Sequence, residues 1–407
     1  MQIKPFAAWR PIPARVAAVA AVPYDVVDTA EARLLAAGNP DAFLHVSRPE
    51  IDLPDTVDLH DDAVYAQGAR AFLDLQRRGV LRREPSERLY VYRQIMGSHS
   101  QTGLVTCCHI DDYGRGIIRK HEKTRQDKED DRTRHVLALN ANSGPVFLAY
   151  RDVANVDRLV ANVAVDAPLY DFTAADGVRH TVWRVEGDAA PWVEAFAAVP
   201  VCYVADGHHR AAAAARAGRL RREANPHHTG REEYNWFLAV LFPASQLRIL
   251  PYNRCVRDLN DLSPAAFLAR VAQVFACTPA ADPEPAGPGQ VHMYLQGYWH
   301  RLAWLADPAA DPVGRLDVSV LQNRLLAPVL GIADPRTSPR ISFVGSNRGT
   351  GELTKRVDAG HTAVAFSMYP VSVAQMMDIA DAGQIMPPKS TWFEPKLRSG
   401  LLVHTLD

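Results

Sequence analysis

Residues 199–205, Val-Pro-Val-Cys-Tyr-Val-Ala, run without interruption into Asp206-Gly207-His208-His209-Arg210 and then into five alanines, Ala211 to Ala215. An apolar run of β type therefore ends on an acid and a glycine, and the strongest helix former takes over at once. A strand, a turn and a helix start are the natural reading. That junction would gather a carboxylate, two imidazoles and a guanidinium around the unpaired amides of a helix start, a place that attracts phosphate or another anion. The plain structural reading makes Asp206 the N-cap of an ordinary helix. It accounts for Asp206 and Gly207 but leaves His-His-Arg unexplained.

Phosphate oxygens held by the amides of Gly207, His208 and His209 would be repelled by Asp206 unless a cation lay between them. This makes Asp206 a natural contact for Mg2+. His208 or His209 could donate to phosphate or to a leaving oxygen. Arg210 carries the planar fork that grips phosphate at two points, and could equally make a structural ion pair.

Elsewhere the chain offers weaker signals. Lys120-His121-Glu122-Lys123-Thr124-Arg125 places a carboxylate among cations, the setting of a general base, although a solvated charge cluster at a helix start reads the same way. It is no zincin motif, because position 125 is arginine. Lys389-Ser390-Thr391-Trp392, with Lys396 and Arg398, could close over a phosphorylated ligand or simply anchor the tail through Trp392 and Phe393. Gly345-Ser346-Asn347-Arg348-Gly349-Thr350-Gly351 matches neither GxGxxG nor Walker A and reads as a glycine-rich turn. Pro23-Tyr24-Asp25 supplies either another carboxylate or a turn with a buried tyrosine.

Helices are expected from Asp28, with Glu31 completing a capping box, over 62–80, from the charged stretch 121–134 through Leu139, after Ser263, over 317–330, 352–358 and 372–382. In the charged stretch, Glu129/Arg132 and Asp130/Arg134 are spaced to meet on one face. Strands 89–95 and 103–110 form one expected hairpin, and 237–242 with 247–250 another. The class is α+β, mixed α/β with hairpins and not a doubly wound parallel sheet. Three regions are expected: 1–88, an N-terminal α/β part; 89–262, the core with the phosphate box; and 263–407, a C-terminal α/β part.

Composition narrows the function. No apolar stretch approaches the ~20 residues that span a membrane, and the N-terminus lacks the pattern of a secretion signal. A formal net charge of −1 gives no long-range field for nucleic acid. Five unpatterned cysteines, Cys107, Cys108, Cys202, Cys255 and Cys277, suggest buried thiols in a reducing cytoplasm. The expected partners are a small-molecule substrate and a nucleotide or pyrophosphate, with no membrane and no nucleic acid. Homo-oligomerisation is left open.

Pro23-Tyr24-Asp25-Val26-Val27, Phe43-Leu44-His45-Val46-Ser47-Arg48-Pro49-Glu50, His121-Glu122-Lys123-Thr124, Leu139-Asn140-Ala141-Asn142-Ser143-Gly144-Pro145-Val146-Phe147, Asp206-Gly207-His208-His209-Arg210 and Met386-Pro387-Pro388-Lys389-Ser390-Thr391-Trp392-Phe393-Glu394-Pro395-Lys396 together resemble the bacterial and archaeal family called domain of unknown function 1015. More distantly, the chain is similar to the ParB/sulfiredoxin-like fold and, within it, to the free-serine kinases, whose second box is of the Asp-Gly-His-His-Arg kind. That resemblance implies a ParB/sulfiredoxin-like core with elaborations at both ends. It implies phosphoryl transfer to free L-serine from ATP, ADP or pyrophosphate with Mg2+. Glu122 would be the base on the substrate hydroxyl. Asp206 and His209 would be catalytic beside it, with Asp206 also the metal ligand. Gly207, His208, Arg210, Lys123, Thr124, Lys389 and Ser390 would contact phosphate or nucleotide. A partition-type nucleotide switch and a phosphate-ester hydrolase are the competing functions.

Overall fold

The apolar run ending at Asp206 becomes a strand, Cys202–Asp206, near one edge of a large mixed sheet. The computed structural model describes residues 1–345 and 349–407. Among these, nine strands form the sheet. In spatial order they are Ile118–Arg119, Cys202–Asp206, Val146–Tyr150, Trp236–Pro243, His99–His109, Tyr90–Met96, Arg179–Arg184 and Tyr170–Thr173, with Ile3–Lys4 also paired to His99–His109. The Cys202–Asp206 strand runs parallel to Ile118–Arg119, and Trp236–Pro243 parallel to Val146–Tyr150; every other pair is antiparallel. The α+β class follows directly from this pattern.

Alternation explains how the sheet is covered. Val146, Leu148 and Tyr150, Cys202 and Val204, and Phe237, Ala239 and Leu241 share one hydrophobic cluster with Ala211, Ala212, Ala214 and Ala215. Side chains two apart on a strand share a face, so this face carries the helix His208–Ala224. The alanine run lets that helix sit close. At Gly218 a Cβ would meet the Tyr234 carbonyl oxygen at 2.3 Å and Ile110 Cδ1 at 2.6 Å. Gly218→Ala is therefore expected to destabilise the protein by about 1–3 kcal/mol despite alanine's better helix propensity. Urea denaturation checks this, and an unchanged midpoint would refute the close approach.

Two compact units account for the chain: 1–247 together with 395–407, and 248–394. The expected boundaries at 88/89 and 262/263 each fall inside one of these units, and the cluster built mainly from the first 88 residues is completed by later segments. Phe43, Phe72 and Leu75 cluster with Leu139, Ala141 and Val403, and Ile3 pairs with Cys108. The tail returns to the same unit, with Val403 bridging Trp9 and His404 pairing with Asn142. The second unit holds a six-stranded antiparallel sheet, in the order Ala276–Pro279, Tyr298–Ala303, Gln290–Leu295, Val364–Met368, Tyr252–Val256 and Ile341–Gly345.

Local signals are read correctly where the physics is local. Asp28 and Glu31 form a reciprocal capping box at Thr29–Ala36, and Ser372 and Gln375 another at Val373–Asp381. Tyr90–Met96 and His99–His109 form the expected hairpin, although its second strand begins at His99 and not at Gly103. Two expectations are corrected. The hairpin 237–242/247–250 does not form, because both edges of Trp236–Pro243 are already occupied by Val146–Tyr150 and His99–His109; Arg248–Leu250 pairs with Trp392–Glu394 instead. The charged helix starts at Gln126, not His121. Its charges pair with other elements, Asp130 with Arg216 and Arg134 with Asp62. Of the glycine-rich turn 345–351, Ser346, Asn347 and Arg348 lie outside the described residues.

Candidate functional site

Gly207, not Asp206, is the N-cap of the helix His208–Ala224. Its φ of 87° is a left-handed conformation that glycine adopts without strain. A Cβ there would meet Arg210 Nε at 2.9 Å, so the arginine folds back over the glycine. No side chain caps the helix among the described residues, and its first amides stay available.

The Asp206 carboxylate is thereby released for another task. Its Oδ2 accepts from Arg210 Nη2 at 2.7 Å and its Oδ1 from Lys396 Nζ at 3.1 Å. Burial alone would raise its carboxyl pKa, but Lys396 and Arg210 outweigh burial and hold it well below the usual range. Arg210 also donates to the Pro145 carbonyl and lies 4.0 Å from the exposed Asp25. A magnesium ion at Asp206 does not fit this arrangement, because two cations already neutralise the carboxylate and both would repel it. The cation that a phosphate would need beside Asp206 is present as Lys396 and Arg210.

Next to this cluster sits a pair of buried imidazoles. The His208 ring meets His121 edge-on at 4.5 Å between centroids. His208 is 6% exposed; its Nε2 has no hydrogen-bond partner among the described residues, and its Nδ1 lies 3.8 Å from Glu122 Oε2. Burial first, then the His121 ring, pushes the His208 pKa far down, and burial takes His121 down to about 4. Both rings are therefore neutral at pH 7. Glu122 is 41% exposed and so faces both His208 and solvent. Ligand atoms of His121, Glu122 and His208 converge within 4.8 Å of one another. Two imidazoles and a carboxylate suit a first-row transition metal better than Mg2+, which prefers oxygen.

The other expected residues are distributed as follows. His209 Nε2 accepts the Arg125 N–H at 3.1 Å, and burial lowers its pKa, consistent with a neutral acceptor. Thr124 Oγ1 donates to Glu129 at 3.2 Å, and Lys123 is exposed. Lys389 and Ser390 belong to the second unit, where Ser390 Oγ donates to the Pro387 carbonyl and the Lys389 ammonium lies 5.5 Å from the Tyr252 ring centre.

A pocket of about 520 Å3, its open mouth included, lies beside Arg210. Arg132, Arg210, Asn142, Ser47 and Tyr24 contribute to its wall. Asn142 Nδ2, Arg210 Nε and Ser47 Oγ are buried without hydrogen-bond partners among the described residues. Buried donors left unpaired are costly, and three around one pocket make it fit for an acceptor-rich ligand. Sequence reasoning passed over Asn142 and His121 as site residues and did not connect Lys396 to Asp206, although all three lie within the motifs quoted above.

The sequence profile of a family described as a protein of unknown function, DUF1015, matches residues 3–319. The chain belongs to the DUF1015 family. No curated protein matches this DUF1015 member significantly in sequence. Among solved structures it is similar to a conserved hypothetical protein from Pyrococcus furiosus, at 11% identity over 72% of this chain and 93% of that one, with a TM-score of 0.37. It is also similar to a mutant free serine kinase in complex with AMP, at 10% identity over 71% and 87% with a TM-score of 0.37. A third is C-terminally truncated SbnI from Staphylococcus aureus, at 10% identity over 73% and 86% with a TM-score of 0.40. No helix among the described residues is long and apolar enough to cross a membrane.

Proposed function

We propose that this DUF1015 protein is a small-molecule phosphotransferase that moves a phosphoryl group from ATP, ADP or pyrophosphate to the hydroxyl of free L-serine, on the ParB/sulfiredoxin-like core its boxes resemble. One observation carries the reading. Glu122 is held beside the buried, neutral His208 at an uncapped helix start, where the neighbouring acid Asp206 is already balanced by Lys396 and Arg210. Phosphoryl transfer asks mainly for positioning and charge neutralisation. The free amides of His208 to Arg210, with Lys396 and Arg210, would receive the phosphate oxygens. The unpaired donors of the adjoining pocket would orient the acceptor's carboxylate. As the bond from the serine oxygen to phosphorus forms, the bond from phosphorus to the donor's bridging oxygen breaks, and Glu122 takes the hydroxyl proton. Magnesium carried by the donor's own phosphates would spread their charge.

Solvent access to Glu122 favours hydrolysis as the second reading, with water as acceptor. The test offers the purified protein magnesium, L-serine and each donor in turn, and phosphoserine is sought by mass spectrometry. Phosphoserine formation with one donor is expected. Its absence with every donor overturns the kinase reading, and free phosphate in its place assigns the site to hydrolysis.

A further inference from the structure

Arg254 is the central residue of the strand Tyr252–Val256, next to the edge strand of the second unit's sheet, and is only 3% exposed. Its Nη1 donates to the Tyr252 carbonyl at 2.7 Å and its Nη2 to the Lys389 carbonyl at 3.4 Å. No carboxylate pairs with it among the described residues, and the three undescribed residues are Ser346, Asn347 and Arg348, none of them acidic. A buried guanidinium without a counter-charge is costly. Burial accordingly lowers its pKa to about 10.

Arg254 lines a pocket of about 360 Å3, open mouth included. The same wall carries Asp317, together with Ser390 and the apolar Leu316, Val318 and Met368. Asp317 accepts the Gly289 N–H at 3.0 Å and forms no ion pair among the described residues. Two opposite charges therefore face one small cavity without neutralising each other. A simple anion would satisfy Arg254 and be repelled by Asp317. A simple amine would do the reverse. A molecule bearing both charges satisfies both.

We propose that this pocket binds a small free amino acid, its carboxylate on the Arg254 guanidinium and its ammonium on the Asp317 carboxylate. The planar guanidinium matches a carboxylate edge, the carboxylate at Asp317 gives the ammonium a charged acceptor, and the apolar wall limits the side chain to a small one. The site is independent of the junction at Asp206, and it gives a role to the Lys389-Ser390 segment, which contributes the Lys389 carbonyl on Arg254 and Ser390 in the wall.

The test is calorimetric titration of the full chain with glycine, L-alanine, L-serine, L-threonine, L-aspartate and L-glutamate. Propionate and ethylamine serve as single-charge controls. At least one amino acid is expected to bind about tenfold or more tightly than any control, and both Arg254→Met and Asp317→Asn are expected to weaken it about tenfold or more. Asp317→Asn preserves shape and serves where the buried arginine is needed for folding. Absence of binding by all six amino acids overturns the proposal. So does amino-acid binding that neither variant weakens.

Discussion

Asp206→Ala should both silence the protein and weaken its fold. It removes the counter-charge of two buried cations, Arg210 and Lys396, whose side chains are 10% and 11% exposed. Breaking a buried pair from one side leaves an uncompensated charge, which is more damaging than the pair is beneficial. The loss is expected to be about 3 kcal/mol at neutral pH, read by urea denaturation. The proposed phosphoryl transfer should fall about a hundredfold or more, because Arg210 and Lys396 lose the acid that positions them. The pH dependence has a definite sign. The folded carboxyl titrates below its ordinary value, so its stabilisation is complete above the unfolded pKa of about 3.9 and disappears as pH falls through the depressed folded value. The gap in stability between wild type and Asp206→Ala should therefore narrow on acidification below about pH 4. Equal stability at pH 7 would refute the counter-charge role. Asp206→Asn keeps the side chain's shape but not its charge, and separates lost packing from lost electrostatics.

How far such a site can be read from sequence depends on how local its causes are. The strand–glycine–helix junction was legible because β-type residues, a glycine and five alanines act on their immediate neighbours. The capping boxes at Asp28 and Ser372 were legible for the same reason. What Asp206 does was not. Its partner Lys396 lies 190 residues away and is brought there by a tail that rejoins the first unit. With that ammonium out of view, a bare carboxylate beside a phosphate site called for magnesium. The failed hairpin after Trp236–Pro243 has a similar origin, because strand pairing depends on which edges other segments have already occupied. His121 looked like the first residue of a solvated helix. Its burial against His208 depends on the parallel pairing of Ile118–Arg119 with Cys202–Asp206, a contact that no local pattern encodes.

Glu122→Gln is the complementary case, with a large effect on rate and almost none on stability. The side chain is 41% exposed and glutamine keeps its size, so unfolding should shift by less than about 0.5 kcal/mol. If Glu122 takes the acceptor's proton, phosphoserine formation should fall about 10²- to 10⁴-fold, the usual worth of a positioned base. Affinity for the donor separates this role from a merely structural one. Glu122 lies beside the helix start that would receive phosphate, and its charge opposes that of the donor. Neutralising it should leave the dissociation constant for ADP unchanged or lower while turnover collapses. A residue that served to hold the nucleotide would show the reverse, weaker binding with turnover largely kept at saturation. Glu122→Asp sharpens the distinction, because it keeps the charge and withdraws the carboxylate by about one methylene; a base loses reach, and a donor-repelling charge stays where it matters. If Glu122→Gln turns over at the wild-type rate, the proton goes elsewhere. Asp25, exposed and 4.0 Å from Arg210, is then the next carboxylate to replace.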